Sequence, residues 1–437
     1  MITRFIRCAA CCVMLLLSAC DRNAPRPPSP ADSANDPAAS MGEVRAFFTE
    51  APDAPRDIPS VARLTLPEIE GADAIWGGTG RDDRGHLWFG VCSESGEGNS
   101  AVLLEYIPET GTMTVRGNVV EELKRAGVHR EGETQAKIHS RIVQAADGHL
   151  YFASTSIEGA DYAEGRTPPT WGGHLWRYRI ADNRWEHLAA TPEKGLIAVA
   201  GRGRYVYALG FFDHELYQYD TQTGELRSVT VGSAGGHISR NFVVDVNGHA
   251  YVPRLIPKRN PADTVVTLAE YDTDLDKVNE TPMKHYVGNS TADSHGLTAF
   301  QPLADGSIII STAFGYLMRI HPIASGPAEV EEMGWLHPDG ARYVASLFTY
   351  AGTRYVIGLA TQSKDTAGDK TYDWVVYHLA TKGGLPVAIS VKAEEPLPLN
   401  ECLLYGSVTR DNAGNFYVVG SHWPRREPLL LRIACPD

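Results

Sequence analysis

The sequence predicts an all-β fold, a seven-bladed β-propeller, on three observations. One turn-and-strand motif recurs seven times, its anchor glycines lie 45 to 63 residues apart, and an apolar run at the C-terminus looks for a partner strand near the N-terminus. Spacings of this size suit four-stranded blades joined by loops of variable length. A β-sandwich also strings strands between regular turns, but it has no reason to repeat one motif seven times.

The N-terminus reads as an address, ahead of any fold. Arg4 and Arg7 precede an apolar run from Cys8 to Ala19, which is too short to span a bilayer. The run closes on Leu17-Ser18-Ala19-Cys20, which resembles a bacterial lipobox. The expectation is a lipoprotein signal peptide over 1–19, a lipid on Cys20 and an exported, membrane-anchored protein of the cell envelope. Residues 20–45, rich in Pro, Ala, Ser and Asp, offer too little apolar surface to offset their ordering entropy and read as a disordered tether. The propeller is expected over 46–437. Cleavage would leave Cys92, Cys402 and Cys435 within it, enough for one disulfide at most.

The repeated motif is a polar turn centred on glycine, followed by alternating β-branched or aromatic residues. Its anchors are Gly85, Gly148, Gly203, Gly248, Gly306, Gly352 and Gly414, as in Asp147-Gly148-His149-Leu150-Tyr151-Phe152 and Asn247-Gly248-His249-Ala250-Tyr251-Val252. An Asp-Gly or Asn-Gly pair supplies the positive φ angles of a tight hairpin turn. A further strand follows each, for example Glu215-Leu216-Tyr217-Gln218-Tyr219-Asp220. Val119 to Ala126 reads as a helical insertion. Leu429-Leu430-Leu431-Arg432-Ile433 is expected to complete a blade begun near Val61-Ala62-Arg63-Leu64.

The formal net charge of −13 argues against general nucleic-acid binding, although a local basic pocket remains compatible with it. No Walker loop, nucleophile elbow, CxxC pair or HExxH helix is present, no cofactor is assigned, and no His or Cys spacing supports a metal. Nothing calls for more than a monomer.

A site is expected at one mouth of the central channel, where the inner strands begin, about nine residues before each anchor glycine. Counting back reaches Trp76, His139, Ser239, Leu297, Tyr343 and Tyr405, with His237, Arg240 and His295 beside them. Lys137 and Arg141 flank His139 and favour an anion there. His174 follows Gly172-Gly173, and Arg254 closes a strand after Pro253. His86, His149 and His249 repeat at one position behind the turn glycines and read as structural.

The runs HSRIVQAADGHLYFAS (139–154), GGHLWRY, HISRNFVVDVNGHAYVPR and GWLHPDGARYVASLFTYAGTRYVIGL resemble propeller-fold polysaccharide lyases of the ulvan-lyase type. In that family two histidines, a tyrosine and an arginine carry the reaction. The resemblance implies His139 and His174 as the histidines and Arg254 or Arg240 as the arginine. The tyrosine has no counterpart, and His237 stands where it is expected. Such a protein would cleave an anionic, uronate-containing polysaccharide by β-elimination, with His139, His174, His237 and Arg254 catalytic and Arg240, His295, Tyr343, Tyr405 and Trp76 binding substrate. No Asp/Glu pair is evident at the mouth, which suits a lyase better than a glycoside hydrolase. Two alternatives stay open: a non-catalytic propeller lipoprotein that binds a glycan, peptide or envelope protein, and a metal-dependent lactonase, against which the scarcity of Glu, Asn and Asp in the ring counts.

Overall fold

The computed structural model describes residues 60–94, 99–159, 167, 169–192, 194–211, 213–234, 237–256, 258, 264–286, 296–350, 354–361, 372–388, 390–391, 399–423 and 425–434. The signal segment, Cys20, the tether, His295, the Gly352 turn and Cys435 lie outside them.

The described strands form seven small sheets, each an antiparallel meander of neighbours in sequence. Blades one to six occupy 72–118, 143–191, 195–230, 243–282, 297–335 and 343–388. The seventh takes three strands from 402–434 and its outer strand from the other end of the chain, Ser60–Arg63. Val61 pairs with Ile433 and Arg63 with Leu431, so the two ends of the fold lock the ring shut as the sequence predicts. A short strand, Ser390–Val391, adds to the same edge in parallel.

The repeated glycine is explained by the backbone. Six described anchors, Gly85, Gly148, Gly203, Gly248, Gly306 and Gly414, hold φ between 64° and 89°, a region costly for any side chain with a Cβ. Five of them donate their N–H to the carbonyl three residues earlier, as Gly148 does to Ala145 at 3.0 Å. Asp147 and Asn247 are not at positive φ. The turn is therefore a four-residue loop carrying its strain on glycine alone, rather than the two-residue hairpin turn that the Asp-Gly and Asn-Gly pairs suggest. Asp82, Asp245 and Asp411 reinforce it, each accepting from the backbone N–H four residues on.

Packing follows the same repeat. Alternation buries one face of each blade against its neighbour, and a separate apolar cluster fills every interface around the ring. Trp88, Phe152 and Trp176 fill the first-to-second interface; Phe89, Tyr106 and Tyr417 fill the closing one. Helix α1, Val119–Ala126, hangs between the first two blades, with Asn118 capping its N-terminus, Gly127 closing it at φ 72°, and Val119 and Leu123 in the core. Among the described residues no helix is long and apolar enough to cross a membrane. Cys92 and Cys402 are buried free thiols.

Candidate functional site

The first strands of successive blades pack side by side around the axis, so residues at their starts meet at one opening. Local sequence brings them close. The innermost strand of blade one breaks between Ala72–Ala74 and Thr79–Arg81, and the break carries Trp76 followed by Gly77 and Gly78. A Cβ on Gly77 would come within 2.7 Å of the His139 carbonyl, and one on Gly78 within 2.4 Å of the Ile138 carbonyl. Two glycines thus let the Trp76 segment lie directly on the backbone that carries His139.

Around this opening the side chains form a connected group. The Trp76 and Tyr405 rings meet edge to face at 4.4 Å between centroids. Each ring carries a cation: Lys137 Nζ lies 5.4 Å from the Trp76 centroid, and Arg240 Cζ lies 4.5 Å from that of Tyr405. Arg240 lies in the segment leading into blade four and Tyr405 in blade seven, so this contact crosses the channel. A second crossing contact sets Arg141, in the segment leading into blade two, 4.7 Å from the Phe300 ring of blade five. Burial alone pushes the Arg141 guanidinium down to about 10, still cationic at neutral pH.

His139 sits among these cations. Its Nδ1 lies 3.3 Å from the Ile197 carbonyl, which can only accept, so Nδ1 carries the proton and Nε2 the lone pair. Burial first, then Arg240 and Lys137, hold its pKa well below the ordinary value. His139 is thus a neutral base beside two positive charges.

Two acidic residues complete the group, and neither was legible in the sequence. Glu94 accepts from Trp76 Nε1 at 3.1 Å and pairs with Lys137 Nζ at 2.6 Å. Burial raises its carboxyl, but Lys137 and Trp76 more than offset this and keep it below the usual range. Asp73 lies on the adjoining strand, where Ala72 pairs with Ser93 and Ala74 with Cys92. It is 2% exposed, and burial, then Glu94, pushes its carboxyl up to about 7. The absence of an Asp/Glu pair at the mouth, expected above, is therefore corrected. The pair comes from the first strand and the end of the second, 21 positions apart, and only strand register reveals it.

The other expected residues go elsewhere. His174 is 2% exposed inside blade two, with Nε2 2.8 Å from Glu133 Oε1 and Nδ1 2.9 Å from His187 Nε2. His237, also 2% exposed, is held between Ser233 Oγ at 2.6 Å and the Tyr286 hydroxyl at 2.8 Å, stacked on His214 at 4.4 Å. Burial lowers both His214 and His237, so this pair is neutral. Arg254 turns to the blade surface, pairing with Glu280 at 3.0 Å and donating to the Gly232 carbonyl at 3.2 Å. Tyr343 is buried in the sixth-to-seventh interface; Leu297 and Ser239 are buried in the wall. Of the four residues assigned catalysis by resemblance, only His139 joins the group at the mouth; His174, His237 and Arg254 are each taken up by other partners. Trp76, Tyr405 and Arg240 also lie in this group.

His86 and His249 each contact a carboxylate on the next strand, Glu105 at 2.7 Å and Glu270 at 2.8 Å, the structural role their repetition implied. Among the described residues one trio, Asp82, His86 and Glu105, brings possible metal-ligand atoms within 4.8 Å of one another. Arg84 and Arg116 already neutralise it, so it reads as a charge-balanced knot between strands.

No protein-family model matches the chain. No curated protein sequence matches it either. Similarity appears in solved structures. A chain of a mitotic checkpoint complex superposes with a TM-score of 0.50 at 8% identity, over 96% of this chain and 98% of that one. An extracellular domain from B. thetaiotaomicron, described as that of a one-component system, gives 0.50 at 15% identity over 87% of this chain. A related extracellular domain of a hybrid two-component system from the same organism gives 0.48 at 13%. This chain spans only 40% of the length of either of those two. At such identities the likeness shows the fold alone, a seven-bladed β-propeller.

Proposed function

We propose that the protein is an exported binding propeller that holds a carboxylate-bearing glycan at the opening built on Trp76, Lys137, His139, Arg240 and Tyr405. The observation that carries this reading is the pair of cations seated on aromatic rings, Lys137 on Trp76 and Arg240 on Tyr405. A ring face holds a cation in place without cancelling its charge, so the two cations add positive potential at the opening even though Lys137 also pairs with Glu94. The channel walls shield the site from bulk water and strengthen that attraction, although the chain as a whole is acidic. Arg240 adds a planar fork suited to two carboxylate oxygens. Export with a lipid on Cys20 would place this opening in the cell envelope, where such glycans occur; Cys20→Ala should then shift the protein from the membrane to the soluble fraction.

Titration calorimetry with trigalacturonate, against the neutral maltotriose, tests the binding reading. Binding of the uronate alone is expected, weakened at least tenfold by Arg240→Gln at an expected loss of about 1.4 kcal/mol or more. Equal binding of both sugars, or of neither, overturns it.

A β-elimination reading keeps one observation of its own: neutral His139 with its Nε2 lone pair beside two cations. There Nε2 would take the proton next to a carboxylate held by Lys137 and Arg240, the freed electron pair would form a carbon–carbon double bond, and the bond to the 4-oxygen would break, that oxygen leaving with the bonding pair and taking a proton from solvent. Ultraviolet absorbance of the unsaturated product, present with the native protein and absent with His139→Gln, would support it. A flat trace over a panel of uronate polysaccharides would leave binding alone.

A further inference from the structure

Asp73 is a buried carboxyl with no use in the fold that the contacts reveal. It is 2% exposed, and neither side-chain oxygen accepts a hydrogen bond from another residue. Buried carboxylates in stable networks gather donors, because an ionised group in a low-dielectric setting is costly without them. Asp73 has gathered none. Arg426 Nη2 stands 3.7 Å away, beyond hydrogen-bonding reach, and Lys137 is already engaged by Glu94 at 2.6 Å.

Its surroundings form one electrostatic unit with the opening. Four ionisable groups act on it or feel it: Glu94 and Cys92 from the second strand of blade one, Lys137 from the segment leading to His139, and Arg426 from the turn before the last strand. Cys92 is fully buried, and its thiol is pushed up, so it stays neutral. Glu94 is ionised. Lys137 is the shared element: it balances the Asp73–Glu94 pair from one side and stands on the Trp76 ring at the opening on the other.

Resting on the binding reading above, we infer that Asp73 is a proton-linked positioning residue: the opening binds an anion well while Asp73 holds a proton, and poorly once that proton leaves. With Asp73 neutral, one carboxylate fewer draws on the Lys137 charge, and the ammonium can serve a ligand carboxylate alongside Glu94. With Asp73 ionised, two carboxylates compete for Lys137 and add negative potential behind the ligand. Binding must then draw a proton onto Asp73, so affinity falls as the pH rises through neutrality. His139 titrates well below this range and does not produce the same step.

The test is trigalacturonate titration of the native protein from about pH 6 to about pH 8, in two buffers of unequal ionisation enthalpy. If only the protonated form binds, the apparent affinity falls about tenfold over that interval, and about one proton enters per ligand at the upper end. Asp73→Asn should bind with the low-pH affinity throughout and take up no proton. Glu94→Gln, which removes a charge raising Asp73, should move the step to lower pH. The native measurement needs neither variant to fold. Native binding without pH dependence or proton uptake overturns the inference and leaves the binding reading standing; no binding at any pH overturns the binding reading, and the inference with it.

Discussion

Two buried carboxylates are treated in opposite ways. Glu133 and Asp73 are each 2% exposed. Glu133 accepts from His174 Nε2 at 2.8 Å, from Arg130 Nη2 at 3.1 Å and from the Arg130 backbone at 3.0 Å. Burial raises its carboxyl, yet these donors outweigh burial and hold it down at about 2. Asp73 has no such donors, and burial prevails, carrying it up to about 7. At the same solvent exposure, the carboxylate that has donors is held low and the one that lacks them is pushed up. The structural group is bound to His174 of blade two; the proton-holding one lies on the first strand of blade one, beside Glu94.

The largest effect should come from breaking the satisfied group. Glu133→Gln leaves His174 and Arg130 without their charged acceptor, and removing one member of a buried pair costs about 3 kcal/mol or more. Urea unfolding at neutral pH should show the midpoint falling with the slope unchanged. A loss below about 0.5 kcal/mol, the range of an ordinary surface change, would remove the structural reading of this network. In the native protein the Glu133 contribution is fully present above its unfolded value of about 4.5 and is lost as the pH falls towards about 2.

Asp73→Asn should act with the opposite sign and over a different interval. Because folding raises the Asp73 carboxyl from 3.8 to about 7, the native state binds the extra proton between those values, and its stability declines as the pH rises through that window. The variant should nearly match the native protein near pH 4 and exceed it increasingly as the pH rises, by about 1.4 kcal/mol per pH unit across the window. Equal stability of the two proteins at both ends would mean that Asp73 is ionised at little cost.

A smaller effect serves as the control. Gly148 holds φ 79° in the blade-two turn, and an added Cβ meets nothing within 4 Å. Gly148→Ala should cost about 1 kcal/mol through backbone strain alone. It should lower the whole stability curve while leaving both pH windows where they are. Movement of either window would show that the two carboxylates respond to global loosening rather than to their own partners.

The contrast also marks how far sequence reasoning reaches here. The six described turns were legible because each needs a glycine that local chemistry demands, and the closing pair Val61–Ile433 because an apolar run at each end asks for a partner strand. The helix over Val119–Ala126 carries its own cap residues. Trp76, His139 and Tyr405 were legible because a fixed offset from the turn places them at the mouth. Asp73 and Glu94 were not, since neither stands at that offset and their meeting depends on a bulged register between two strands. His174 and His237 looked like site residues for the converse reason. Their partners, Glu133 and Tyr286, lie 41 and 49 positions away, and nothing local shows that those groups have already claimed the imidazoles.

The smallest stability effect is expected where the functional effect is largest. Arg240 is half-buried and rests on Tyr405 across the channel, in a contact that holds no strand pair and fills no interface between blades. Arg240→Gln should change stability by less than about 0.5 kcal/mol. It also removes a charge that depresses His139, so the His139 imidazole should titrate closer to its ordinary value. Imidazole proton shifts followed by NMR across an acid titration read this directly, with or without a ligand. An unchanged His139 titration would mean that the guanidinium and the imidazole do not share one electrostatic environment. The opening would then be two separate polar patches, and Asp73 could influence only the one built on Lys137.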